Sequence, residues 1–148
     1  MHMSRSALAA AFAGSLCTGL FSVAARAETL MFHATLTAAA EVPPKTSGGT
    51  GKLEATLDTD SKTLHYTVTY SGLTGPATAA HFHGPAMAGA NAGVAVPIKD
   101  PASGAKASAV LTDAQIADLE AGKWYVNVHT AANPAGEIRG QVEKGSYM

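Results

Sequence analysis

The stretch LHYTVTY, residues 64 to 70, alternates between two kinds of side chain along its whole length. Its first, third, fifth and seventh residues are apolar or aromatic, and the residues between them are histidine or threonine. Because successive side chains of a β-strand point to opposite faces, this pattern predicts a strand with one buried face and one solvated face.

The same alternation recurs through most of the chain after residue 28. Candidate strands cover residues 29–37, 51–58, 64–70, 78–83, 93–98, 106–111, 123–130 and 136–143. Clusters of glycine, proline, serine, asparagine and aspartate separate these runs, as expected for turns. Short strands with regular punctuation predict an all-β fold, an antiparallel β-sandwich or small barrel.

One segment, LTDAQIADLEAG at residues 111–122, departs from the alternation. Thr112 is followed three residues later by Gln115, which is the signature of a capping box at the start of a helix. Gly122 is suited to end the helix. We therefore expect one short helix that crosses between strands.

The first 27 residues are predicted to be a secretory signal peptide rather than part of the fold. Arg5 supplies a positive charge, residues 7–24 are almost all small or apolar, and Ala25-Arg26-Ala27 forms a cleavage site. A retained membrane anchor is the weaker alternative, because the apolar run is short and ends in small residues. We therefore expect a mature domain of residues 28–148, periplasmic or secreted, with no membrane segment after cleavage.

Charge and reactive-residue content exclude several functions for this domain. Without Arg5 and Arg26, 8 basic residues stand against 11 acidic ones, and no basic patch marks a nucleic-acid partner. The only cysteine, Cys17, lies in the predicted signal peptide. The chain carries no G-x-S-x-G motif, no phosphate-binding glycine loop and no evident pair of catalytic carboxylates. A hydrolase or nucleotide-dependent enzyme is therefore disfavoured, and we assign no catalytic residue.

Two histidines, His81 and His83, lie two residues apart in AAHFHGPA. Residues i and i+2 of a strand share a face, so both imidazoles should point the same way, with Phe82 directed into the core. In the later segment WYVNVHT, the same logic places Asn127 and His129 together on the outward face. If the two strands are neighbours, about 5 Å apart, His129 comes within reach of the pair.

Three imidazoles on two rigid strands would suit Cu(II) or Zn(II). The alternative is a hydrogen-bonded histidine cluster that holds the loops at one end of the sandwich. His33 and His65 are single polar residues in alternating strands, and we expect them to be solvated.

Further residues near these histidines are candidates for accessory roles. Met87 could supply a thioether that favours Cu(I), or it could be an ordinary exposed loop residue. Glu137 and Arg139 are expected on one strand face, where they could form an ion pair. Partly buried against the histidine strand, they could instead orient a ligand, as could Asn127 beside His129.

A family resemblance covers most of the chain. The segments EVPP, LHYTVTYSGLTG, AAHFHGPA and AGKWYVNVHTAANPAGEIRGQ resemble, in this order, the CHRD (chordin) domain family from about Thr29 to Val142. The resemblance implies an immunoglobulin-like β-barrel related to copper-zinc superoxide dismutases, which hold copper on an H-x-H strand and a later histidine. His81, His83 and His129 match that copper pattern.

The chain also departs from the dismutase pattern. It has no equivalent of the metal-bridging histidine, and no histidine or aspartate for zinc lies between Gly84 and Val96. The sequence thus predicts an exported CHRD domain that binds copper, with zinc second, for storage, tolerance or delivery. The first alternative is a structural or interaction module whose partner is an extracytoplasmic protein. The third hypothesis is a degenerate superoxide dismutase.

Overall fold

A computed structural model describes residues 27–146 of the chain. The predicted signal peptide therefore lies outside the described residues, apart from Ala27. The elements, in chain order, are β1 (Thr29–Thr37), a 3-10 turn (Ala38–Ala40), β2 (Thr50–Asp58), β3 (Thr63–Ser71), β4 (Ala77–His83), β5 (Val94–Ile98), β6 (Lys106–Val110), α1 (Asp113–Glu120), β7 (Tyr125–Thr130), β8 (Ile138–Gln141) and β9 (Glu143–Lys144).

The strands form one antiparallel sheet that curls into a nearly closed barrel. Its order is β5-β4-β7-β8-β1-β2-β3-β6, with β9 paired to β1. Contacts across the interior join the two halves, since the rings of Tyr66 on β3 and Phe82 on β4 meet edge to face at 5.0 Å. The predicted all-β class, with a single α-helix among the described residues, is confirmed.

Alternation in the sequence translates directly into burial. Along β1, β2 and β3, every second residue is buried in the barrel, except for the half-buried Tyr70 near the end of β3, and the residues between them are partly or fully exposed. Phe82 and Trp124 pack together in the core with ring centroids 5.8 Å apart. His65 is exposed on the outer face, and His33 is half-buried there, with Nδ1 3.2 Å from the carbonyl oxygen of Gly145.

Helix α1 begins with the capping box that the sequence predicts. The Thr112 side chain accepts a hydrogen bond from the Gln115 backbone at 3.2 Å, and the Gln115 side chain accepts one from the Thr112 backbone at 2.9 Å. Gln115 also donates to the carbonyl oxygen of Ala95 on the edge strand β5 at 3.2 Å. The cap therefore fixes where the helix lies against the sheet edge.

Replacing Thr112 by alanine is expected to lower the free energy of unfolding by about 1 kcal/mol, because one helix N–H loses its acceptor. Urea unfolding followed by the fluorescence of the only tryptophan, Trp124, measures the change. Thr112→Ser keeps the capping hydroxyl and serves as the control, with a stability near that of the wild type. An unchanged midpoint for Thr112→Ala would mean that packing alone sets the start of the helix.

Candidate metal centre

Strand pairing brings the two histidine-bearing segments together. β4 and β7 are antiparallel neighbours, with His81 opposite Asn127 and His83 opposite Tyr125. His129 lies two residues farther along β7, diagonally across from His81. Because side chains two residues apart share a face, His81 and His83 on β4 lie on the same side of the strand pair as Asn127 and His129 on β7, with Tyr125 beside them.

The three imidazoles converge. One nitrogen from each of His81, His83 and His129 lies within 4.8 Å of the other two. His81 Nδ1 is 3.0 Å from His129 Nε2. Nitrogens bound to one ion at about 2.0–2.1 Å are about 2.8–4.2 Å apart, depending on the angle between them. Small ring movements would therefore bring all three onto a single ion.

Backbone carbonyls fix the orientation of two of these rings. His83 Nδ1 lies 3.0 Å from the carbonyl oxygen of Ala92, and His129 Nδ1 lies 2.9 Å from that of Pro134. A carbonyl oxygen can only accept, so each ring carries its proton on Nδ1. In this tautomer Nε2 presents its lone pair, which is the form that binds a metal.

The site is more buried than the sequence suggests. Asn127 and His129 point away from the barrel core, as predicted, but they are only 3% and 8% exposed. The loop that carries Ala92 and the loop that carries Pro134 cover this face of β7. The alternation of side chains within a strand predicts which face they share, but it does not predict whether loops will cover that face. His81 and His83 are half-buried.

Burial favours the neutral form of the two half-buried imidazoles, His81 and His83. Burial, together with the nearby rings of His129 and His83, lowers the pKa of His81. Burial also lowers the pKa of His83, although its hydrogen bonds to Ala92 and Asn127 act in the opposite direction. Neutral rings at pH 7 are available to a cation without prior loss of a proton.

Arg139 is linked to the histidines through an aromatic ring. The His83 imidazole stacks on Tyr125, with centroids 4.7 Å apart and planes 3° from parallel. The guanidinium carbon of Arg139 lies 3.4 Å from the centroid of the same tyrosine ring. Arg139 also donates to Asn91 Oδ1 at 3.0 Å and to the carbonyl oxygen of Ala90 at 2.6 Å. It therefore holds the β4–β5 loop over the site.

The ion pair that the sequence left open for Glu137 and Arg139 does not form. Glu137 is fully buried and accepts hydrogen bonds from the hydroxyls of Ser47, Thr74 and Thr130 at 2.6–2.7 Å. Burial works in the opposite direction, but these hydrogen bonds hold the pKa of Glu137 at about 2. Glu137 precedes β8 rather than lying in it, so its side chain turns toward loops and not toward Arg139.

Two further residues complete the surroundings. Met87 lies in the β4–β5 loop and is 60% exposed. Glu41, in the EVPP segment, is 5% exposed and lies near Arg139 and the side-chain amide of Asn127. Burial raises the pKa of Glu41, while Arg139 and the hydrogen bond from Asn127 act in the opposite direction. Sequence reasoning assigned Glu41 no role, and the only signal was its place in a family motif.

The fold and this site define an all-β, barrel-like domain with a three-histidine cluster beside one strand pair. The family model for the CHRD domain matches residues 32–142. The chain therefore belongs to the CHRD domain family, as its sequence resemblance predicts. Comparison with curated proteins and with solved structures found no match. Within residues 27–146, no helix has the length and apolar character needed to cross a membrane.

Proposed function

We propose that the protein binds one transition-metal ion through His81, His83 and His129, with copper as the favoured ion and zinc second. The observation that supports this most directly is the approach of one nitrogen from each ring to within 4.8 Å of the others. All three donors are imidazole nitrogens, a set that suits both Cu(II) and Zn(II). A bound copper ion would add redox chemistry, while the protein supplies the ligands and the cover of loops.

The proposed setting is outside the cytoplasm. Residues 1–27 act as a signal peptide in this proposal, and residues 28–148 form the mature domain. The family assignment supports it, since CHRD domains are typically extracellular. Metal storage, tolerance or delivery fits such a domain.

One feature favours an alternative without metal. His81 Nδ1 can donate to His129 Nε2 across 3.0 Å, so the cluster can be hydrogen bonded on its own. The CHRD family is a family of protein-interaction domains. In this alternative the histidines hold β4 against β7, and the partner is an extracytoplasmic protein.

Titration of the mature chain with Cu(II), followed by EPR, distinguishes the two functions. We expect a signal that saturates at one ion per chain and shows nitrogen hyperfine structure. The melting temperature should rise with Cu(II) or Zn(II), because an ion that binds only the native state stabilises it by about 2.7 kcal/mol at 100 times its Kd. Both effects should be absent from His81→Ala/His83→Ala.

The matched control is His33→Ala/His65→Ala, which removes two histidines from the outer face of β1 and β3. It should keep the EPR signal and the thermal shift of the wild type. A wild-type chain that gives no saturable signal would remove the metal function and leave the interaction module.

A further inference from the structure

Asn127 places its side-chain oxygen among the histidine nitrogens. Asn127 Oδ1 lies 3.0 Å from His83 Nε2 and 2.9 Å from His129 Nε2. Both rings carry their protons on Nδ1, where Ala92 and Pro134 accept them. The facing atoms therefore all present lone pairs, with no hydrogen between the oxygen and either nitrogen. A cation or an added proton among these acceptors would relieve the repulsion between their lone pairs.

The reverse orientation of the amide would remove this conflict, because Nδ2 would then donate to the rings. Glu41 opposes that orientation. Its carboxylate lies against the Asn127 amide, an interaction that lowers the pKa of Glu41, and Glu41 Oε1 is buried with no well-formed hydrogen bond to any described residue. A methyl group placed on Gly136 would meet both Glu41 Oε1 and Asn127 Nδ2, so both groups border the space beside Gly136. With the amide reversed, two oxygens would face each other.

We propose that Asn127 Oδ1 is the fourth ligand of the metal, and that Glu41 is a positioning residue that keeps this oxygen turned toward the ion. The inference rests on the proposed function and adds a ligand set of three imidazole nitrogens and one amide oxygen. The separations of 2.9, 3.0 and 3.0 Å among the facing atoms are those of ligands about 2.0–2.1 Å from one ion and roughly at right angles to each other, as in tetragonal Cu(II) sites.

An amide oxygen ligand affects which metal ion the site prefers. Soft sulfur ligands select Cu(I), whereas imidazole with a hard oxygen suits divalent copper and zinc. Met87 is the nearest methionine in sequence to the histidine pair, and its exposed position leaves the amide oxygen as the better placed fourth donor. The site therefore discriminates in favour of the divalent ions over Cu(I).

The test compares Asn127→Ala with Asn127→Asp, using Cu(II) and Zn(II) affinities from competition with a chromophoric chelator. We expect Asn127→Ala to lower both affinities on the order of 10- to 100-fold, and Asn127→Asp to retain or raise them, because a carboxylate oxygen replaces the amide oxygen. The EPR spectrum of the Cu(II)-loaded chain should change in Asn127→Ala. The circular dichroism of each variant establishes that it is folded.

Glu41→Ala tests the positioning role, with Glu54→Ala on the exposed face of β2 as its matched control. We expect Glu41→Ala to weaken Cu(II) binding about 10-fold and to shift the EPR spectrum toward that of Asn127→Ala, with no change in the control. If the wild type binds Cu(II) and both Asn127 variants keep its affinity and spectrum, Asn127 is not a ligand, and the three-histidine function stands without it. A wild type that binds neither ion overturns the function and this inference together.

Discussion

Replacement of Glu137 by glutamine is expected to lower the free energy of unfolding by about 2–4 kcal/mol. The carboxylate is completely buried and accepts from Ser47, Thr74 and Asn133 on three separate loops, and from Thr130 at the end of β7. Glutamine has the same shape but only one acceptor oxygen. Its amide group would face either the backbone N–H of Thr74, which now donates to Oε1 at 2.8 Å, or the Asn133 side chain, which donates to Oε2 at 3.2 Å. The Thr74 backbone N–H cannot accept, and Asn133 could accept through Oδ1 only if its side-chain amide turned over.

Urea unfolding at pH 7, followed by Trp124 fluorescence, measures this loss. Glu54→Gln, at an exposed position on β2, removes the same charge without a buried network and should change stability by less than about 0.5 kcal/mol. Equal stabilities for Glu137→Gln and the wild type would mean that the three loops hold together without the carboxylate.

Acid provides a second measurement on the same variant. The pKa of Glu137 is about 2 in the folded chain, against an ordinary value of 4.5. A depressed pKa contributes stability that is present above pH 4.5 and is lost as the pH falls from 4.5 toward 2. The wild type should therefore lose more stability than Glu137→Gln across this window. Parallel curves for the two proteins would contradict the assigned cause.

Local features of the fold could be predicted from the sequence because they depend on neighbouring residues. The alternation along LHYTVTY specifies which side chains of β3 face the core, and Thr112 with Gln115 specifies the start of α1. The pairing of β4 with β7 is different. His81 and His129 are 48 positions apart. The sequence therefore predicted their proximity only on the condition that β4 and β7 are neighbours, and the fold meets this condition.

The parts of the site that escaped sequence reasoning are contributed by loops. The carbonyl oxygens of Ala92 and Pro134 orient two rings, and backbone atoms leave no residue signature. Glu41 reaches Asn127 from the segment after β1, a contact that no periodicity encodes. The ion pair considered for Glu137 and Arg139 does not form, because the two residues do not share one strand. β8 begins at Ile138, so Glu137 belongs to the preceding loop.

Contacts made by Arg139 and Glu137 explain why loops cover the histidine cluster. Arg139 holds the β4–β5 loop through Ala90 and Asn91, and Glu137 holds the loop that leads into β8. Both residues therefore act on the site by fixing the cover above it. Neither of these contacts involves a histidine ring, so a variant of Glu137 should affect stability first and metal affinity only through the loop.

Gly136→Ala is expected to lower the free energy of unfolding by about 2–4 kcal/mol, from two sources. Gly136 has φ +127°, a conformation that side chains rarely adopt. A methyl group there would also press between Glu41 Oε1 and Asn127 Nδ2, both nearly inaccessible to solvent. These side-chain ends could move only by breaking the contact that orients Asn127. The variant should therefore also bind Cu(II) about 10-fold more weakly, as expected for loss of an orienting contact.

Gly104→Ala separates the two sources. Gly104 also has a positive φ, +83°, but a methyl group there would meet no atom within 4 Å. Gly104→Ala should lower the free energy of unfolding by about 1–2 kcal/mol, because of the positive φ alone, and should keep the metal affinity of the wild type. If Gly136→Ala matches Gly104→Ala in both stability and Cu(II) affinity, then Glu41 and Asn127 move aside freely and do not form a rigid support. If it falls below that control in both, the absence of a side chain at Gly136 is what lets the EVPP segment reach the histidine cluster.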